Sequence, residues 1–315
     1  MHDAPDRSHI DTEKRNPRSR GLHAMSTQEI VDLIQGEDRQ VLLALKRARE
    51  RLLSFIEAAE AGFVAGGRLV YVGAGTSGRL GVLDASEAPP TFCVEPTRVV
   101  GIIAGGDGAL RRSSEGAEDD LRGAWSALDE LSLTSRDSVI AIAAGGTTPY
   151  ALGALEFCKQ ASRGAGERPL TALLCCASVE RPLSADHLIV IKTGPEVLAG
   201  STRMKAGSAT KMALNTISTT LMVRAGKVYD NLMVDVRATN AKLRDRAARI
   251  VVTLTGATRE RAMELLDACE GEVKVAVLVE RLALTPAEAR ARLDASRGHL
   301  GPALGEHASD VRAHS

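Results

Sequence analysis

The run Arg68-Leu-Val-Tyr-Val72 enters a turn of glycines and hydroxyls, Gly73-Ala-Gly75-Thr76-Ser77-Gly78, and an apolar-patterned helix begins near Leu80. A strand that feeds a tight glycine turn and then a helix constrains this chain more than any other feature. The first N–H groups of a helix have no partner within it, and its dipole is positive at that end, so the junction is built to hold an anion. The same rhythm recurs downstream. Apolar runs at Thr91–Val94, Val99–Ile103, Ser138–Ala144, Leu170–Cys176 and His187–Lys192 are expected as strands. Between them, helices are expected to about Ser86, over 113–131 and through Leu152, Leu155 and Phe157, with Pro89-Pro90 stopping the first. Strands alternating with helices predict an α/β fold, a doubly wound parallel sheet flanked by helices. Composition agrees: apolar residues make up 44% and aromatics 3%, so the core is made of Ala, Leu, Val and Ile, as suits buried parallel strands.

Outside this repeat the signal is helical. Residues 1–24 lack periodicity and are expected to form a mobile or loosely docked arm. Ser26-Thr-Gln-Glu29 is a capping box that opens a helix. Gly36 is expected to interrupt it, before a longer helix with Val41, Leu42, Leu45, Leu52, Leu53 and Ile56 on one face. Helical pattern returns from Gly207 through Val223 and over 234–254, and 258–296 reads as a set of short helices. The expected domains are the arm, a ligand-binding domain over 25–240, a small helical domain over 241–304 and a disordered tail over 305–315.

Forty acidic residues balance forty basic ones, which gives no global field for nucleic acid or an anionic membrane surface. No apolar run is long enough to span a bilayer, and Met1-His-Asp-Ala-Pro-Asp lacks the apolar stretch of a secretion signal. The five cysteines form no C-x-x-C pair, and three lie in apolar runs. A reducing cytoplasm without a disulfide framework is expected. No histidine has metal-ligand spacing with another ligand, so no metal is expected.

Gly73-x-Gly75-x-x-Gly78 also satisfies the dinucleotide fingerprint, with Glu95 as the acidic residue for a ribose. Three features favour a sugar phosphate instead. Thr76 and Ser77 put two hydroxyls in the loop, the prolines distort the usual unit, and a second strand end, Gly145-Gly146-Thr147-Thr148-Pro149, brings its own glycines and hydroxyls. Both loops can converge on one small ligand beyond the carboxyl ends of the strands.

The run from Gly73 through Arg79-Leu-Gly-Val-Leu-Asp84-Ala-Ser-Glu87-Ala-Pro-Pro90 resembles the signature of the N-acetylmuramic acid 6-phosphate etherases, which have the sugar isomerase (SIS) fold. Also similar are Ile103-Ala-Gly-Gly106, Glu115-Gly-Ala-Glu118-Asp119, Ser201-Thr-Arg203-Met-Lys205 through Lys211, Asn231 through Val236 with Ala238-Thr-Asn240, and Thr12-Glu13 with Asn16-Pro17. The resemblance runs from about residue 12 to about residue 300. It implies a carbon–oxygen lyase that removes D-lactate from C3 of the 6-phosphorylated sugar by elimination and adds water, giving N-acetylglucosamine 6-phosphate without metal or nucleotide cofactor. Such a step needs a base for the C2 proton and an acid for the departing ether oxygen. The motifs assign the acid to Glu87 and the base to Glu118, although one site can exchange these roles. Glu115, Asp119 and Asp120 read as surface charges and Asp84 as a local hydrogen-bond partner. Gly75, Thr76 and Ser77 are expected to hold the phosphate, with Gly146, Thr147, Thr148, Ser201 and Lys205. Arg203 and Lys211 are further candidates, with a basic helix start as the equal alternative. The chain departs from a common form of the family, in which a serine and an arginine stand where it has Gly145 and Thr147. The resemblance further implies a homodimer. A regulator that binds phosphosugars without catalysis is the alternative reading, as in the glucokinase regulatory proteins of the same fold.

Overall fold

Gly73 and Gly78 pack backbone to backbone: a Cβ at Gly78 would lie 2.5 Å from the Gly73 carbonyl oxygen and 2.6 Å from Ile103 Cγ1. Only paired glycines let a helix start this close to the strand that feeds it. The computed structural model in which this is seen describes residues 7–112, 114–160, 168–236 and 241–306. Residues 1–6, the expected helix start at Ser113, Ala238–Asn240 and the tail from 307 lie outside the described residues.

The chain divides into two compact units, 1–86 with 96–218, and 87–95 with 219–315. The second unit takes in 87–95, early in the chain, and 219–240 together with the expected helical domain over 241–304. The first unit holds a parallel five-stranded sheet in the order β2-β1-β3-β4-β5, with β1 Leu69–Gly73, β2 Val99–Ile103, β3 Ser138–Ile142, β4 Leu170–Cys175 and β5 His187–Val190. The apolar run at Thr91–Val94 is not a strand. Because β2 lies on one side of β1 and β3 on the other, the strand order reverses between β1 and β3. That reversal opens a crevice beyond their carboxyl ends.

Helix α1 (Thr27–Val64) keeps the predicted Ser26 capping box and is continuous through Gly36. One glycine costs a helix about 1 kcal/mol, less than the packed stripe returns. That stripe is Val41, Ala44, Ala48, Leu52, Phe55 and Ile56, whereas Leu42 is 61% exposed. Helix α2 (Gly75–Phe92) likewise runs through Pro89 and Pro90 rather than stopping before them. Proline's fixed φ suits a helix, and in the last turn the prolines forfeit only two donors. The helix expected over 113–131 is two short ones, α3 (Glu115–Glu118) and α4 (Trp125–Glu130), and α5 (Pro149–Gln160) follows β3. Residues 7–24 contain two 3-10 helices, Pro17–Ser19 and Leu22–Ala24, and Ile10, Thr12 and Asn16 are buried, so the segment is docked rather than loose.

Helix α6 (Lys205–Arg224) passes from the first unit into the second. There a two-stranded hairpin, β6 (Val228–Tyr229) and β7 (Leu232–Met233), precedes α7 (Ala241–Thr255), α8 (Arg259–Ala268), α9 (Val273–Leu282), α10 (Pro286–Ala295) and α11 (Leu300–Leu304). This unit has its own core around Val251, Leu266, Val275 and Leu278. No described helix is long and apolar enough to cross a membrane.

Candidate active site

Two helix N-termini face the crevice. α2 begins at Gly75 directly after β1, and α5 begins at Pro149, where the proline occupies a position whose N–H would be unpaired in any case. Thr76 and Ser77 are half-buried in the first turn of α2, and neither hydroxyl has a partner among the described residues. Gly146 has φ +76°, and a Cβ there would lie 2.7 Å from Val179 Cγ1, so this turn of the second loop admits only glycine. Gly145 is different. A Cβ there meets Ile10 Cγ2 at 3.7 Å and the hydroxyls of Thr12 and Thr147 at 3.9 Å, so a side chain would fit.

Thr148 donates its hydroxyl hydrogen bond to Glu118 Oε1 at 3.2 Å. This contact ties the second loop to the carboxylate expected as the base. Glu118 ends the one-turn helix α3 and is half-buried. Glu87 is exposed, on the part of α2 that belongs to the second unit. Asp84, one turn earlier, accepts from Tyr71 Oη at 2.8 Å and Ser218 Oγ at 3.2 Å. Burial raises the Asp84 carboxyl above the usual carboxylate value, against those hydrogen bonds and the nearby charge of Lys211. Asp84 is thus a local hydrogen-bond partner, as the sequence suggested.

The start of α6 lies beside the crevice on one face only. A Cβ at Gly207 would sit 3.6 Å from Thr76 Cγ2. Lys205, two residues back and about 200° around the helix, points elsewhere. It is buried, and its ammonium lies 2.6 Å from Glu37 Oε2 on α1. Lys205 is therefore held in an ion pair rather than brought to the glycine turn. Ser201 is half-buried in the turn before α6, and Arg203 and Lys211 are exposed. The α6 N-terminus is closed to an anion by Glu196, whose carboxylate accepts from the backbone N–H of Lys205 at 3.0 Å and of Ala206 at 2.8 Å. Burial raises the Glu196 carboxyl, against those two bonds. Neither Glu37 nor Glu196 was expected from the sequence. Periodicity carried a signal for Glu37, since it occupies the same helical stripe as Val41, Ala44 and Ala48. Cys158, Cys175 and Cys176 are buried core residues, and burial pushes each thiol up to about 12.

Residues 49–159 match the family model described as the glucokinase regulatory protein N-terminal SIS domain. A parallel sheet with glycine–hydroxyl loops on both sides of its switch point therefore defines a SIS-domain protein. Its particular family follows from relatives that align along nearly the whole chain. It is 49% identical over 304 residues to the N-acetylmuramic acid 6-phosphate etherase of Crocosphaera subtropica, covering 96% of this chain and 98% of the relative. It is 50% identical over 300 residues to the enzyme of the same name from Synechococcus elongatus, covering 95% and 96%. The chain belongs to the N-acetylmuramic acid 6-phosphate etherase family. A more distant likeness links it to an E. coli CFT073 protein whose structure was determined in complex with A5P, at 16% identity and a TM-score of 0.45, over 66% of this chain and 97% of that one.

Proposed function

We infer that this chain cleaves the D-lactyl ether of N-acetylmuramic acid 6-phosphate, releasing D-lactate and N-acetylglucosamine 6-phosphate. The observation that carries the reading is the identity of about half of all residues with etherases along nearly their full length. The motifs divide the labour, and the geometry of the two loops supports the parts of Thr76, Ser77, Thr148 and Glu118. The open α2 N-terminus, with Thr76 and Ser77, anchors the 6-phosphate, and Gly146, Thr147 and Ser201 supply further donors. Thr148 orients Glu118, which takes the C2 proton beside the aldehyde of the opened sugar. Glu87 protonates the ether oxygen as the C3–O bond breaks, since a lactate alkoxide leaves poorly without a proton. Water then adds to C3 of the unsaturated aldehyde. No step calls for an electron acceptor or a nucleotide.

Exposed apolar side chains at Val31, Leu42, Leu43 and Leu83 support a homodimer, and five unbridged cysteines support a cytoplasmic location. The test is release of D-lactate from the purified protein given the phosphorylated muramic acid. Glu87→Gln is expected to lower the rate by about a hundredfold or more while sugar-phosphate binding and circular dichroism stay as they were. Undiminished turnover in that variant would overturn the acid assignment, and no lactate from the parent protein would return the phosphosugar-regulator reading to first place.

A further inference from the structure

On the far side of the α6 first turn from Thr76 lies a cavity of about 340 Å³ that the chemistry above leaves unused. Its wall is formed by Asn16, Pro17 and Arg18 at the start of the first 3-10 helix, by α1 and by the segment that leaves β5. In the sheet order, β5 lies two strands beyond β3, on the order of 10 Å from the crevice at about 4.8 Å per strand.

The lining is strongly basic. Arg18, Arg47, Lys192 and Lys205 face it, against a single carboxylate, Glu37. Glu37 is 1% exposed and sits between Lys205 Nζ at 2.6 Å and Arg18 Nη2 at 2.5 Å, with Asn16 Nδ2 donating to it at 2.9 Å. That carboxylate offsets one positive charge of the four. Arg47 and Lys192 have no ion-pair partner among the described residues. The second observation is independent of the charges. Thr193 is 4% exposed and lines the cavity, and its hydroxyl has no hydrogen-bond partner. A buried hydroxyl without a partner is destabilising unless something else satisfies it. A surplus of cations beside an orphaned donor is what a multi-oxygen anion would complete. Ligand pockets run from about 300 to 1,000 Å³, so this one suits a group the size of a monosaccharide phosphate and not a nucleotide.

We propose that the cavity is a second anion site, distinct from the substrate crevice, that takes a dianionic phosphate group, either free or at the head of a small ester. Arg47 and Lys192 supply the attraction at its mouth, and the Thr193 hydroxyl donates to a phosphate oxygen. The Glu37–Lys205 pair forms the floor and fixes the position of Arg18.

Equilibrium dialysis of the full chain against labelled inorganic phosphate tests this. Two equivalents per chain are expected, one in each site. In the Arg47→Ala/Lys192→Ala double variant, one equivalent disappears while the rate of lactate release stays within about twofold of the parent. Thr193→Val, a change of equal shape, weakens that same equivalent about tenfold, as loss of one charge-assisted hydrogen bond requires. If the parent binds one equivalent and the double variant none, the second site stands and the phosphate assignment at Thr76 fails. If the double variant loses nothing, or the parent binds no phosphate, the proposal is overturned. Competition by glucose 6-phosphate at this equivalent identifies an ester as the occupant, and failure to compete identifies free phosphate. Either result upholds the site.

Discussion

Thr148 and the two glycines before it show how finely the second loop is set. If Thr148 serves Glu118, as their hydrogen bond indicates, Thr148→Val lowers kcat about tenfold and leaves KM nearly unchanged, because a hydrogen bond to a charged group is worth about 1.5–3 kcal/mol. A rise in KM at constant kcat would instead make Thr148 a phosphate ligand. At the neighbouring positions one added methyl or hydroxymethyl has opposite consequences. Gly145→Ser meets only ordinary van der Waals distances and adds a donor to the loop, so KM for the sugar phosphate falls while the melting temperature stays within about 2 °C. Gly146→Ala puts a Cβ against Val179 at a left-handed φ, and costs about 1–3 kcal/mol of stability together with most of the activity. The residues of both loops were legible in the sequence, because glycine and hydroxyl types at strand ends have few other uses. The partner of Lys205 was not. A basic motif beside a proposed phosphate site invites assignment to the phosphate, and only the fold reveals that Glu37 on a distant helix holds that charge.

Helices α2 and α1 both outlast the residues expected to break them, for different reasons. Gly36 is outweighed by packing along a helix of 38 residues, whereas the prolines fall in a final turn that ends at Cys93, where φ is +50°. Local propensity is a weak prior once tertiary contacts are available. The sequence carried a further regularity that helix-by-helix inspection misses. Thr258, Ala262, Leu266, Asp267, Ala268, Gly271 and Ala276 recur in the same spacing as Thr285, Ala289, Leu293, Asp294, Ala295, Gly298 and Ala303. The structure repeats with them. Thr258 and Thr285 each cap a ten-residue helix, and Glu270 and Arg297 each turn left-handed after it. The Gly271 and Gly298 N–H groups then bond back to Leu266 and Leu293 carbonyls at 2.8 and 2.9 Å. This is the Schellman closure used twice, so α8 with α9 and α10 with α11 repeat one helix-pair pattern within the helical unit. Gly298 has φ +78° with open space where a Cβ would go, so Gly298→Ala pays only the left-handed penalty. A loss of about 1–2 kcal/mol in denaturant melts followed at 222 nm is expected, with lactate release at 25 °C unaffected.

At the largest scale, the sheet of the first unit is tied at the strand starts, the end opposite the crevice. Asp137, just before β3, accepts from the Arg68 backbone N–H at 2.7 Å, the Arg68 guanidinium at 2.8 Å and the Thr134 N–H at 2.7 Å, and so joins the starts of β1 and β3. Asp186, just before β5, does the same for β4 through Arg168 at 2.8 Å and the Thr171 N–H at 2.9 Å. Burial alone would raise both carboxyls, but these bonds outweigh it and hold each below the ordinary carboxylate value. A carboxyl depressed in the folded state stabilises the fold above its unfolded value, near pH 4. That contribution is lost as pH falls through the lower, folded value. Both residues lie in the first unit, and so does Trp125, the single tryptophan of the chain. Tryptophan fluorescence therefore reports the unit in which the acid-sensitive ties reside. Its melting temperature is expected to hold between about pH 7 and pH 5 and to fall steeply below about pH 4. An Asp137→Asn/Asp186→Asn variant should begin lower, by roughly 2–4 °C for each kcal/mol lost, and change less with acid because the titrating groups are gone. If the variant and the parent lost the same number of degrees between pH 5 and pH 3, acid lability would have to be sought elsewhere in the first unit.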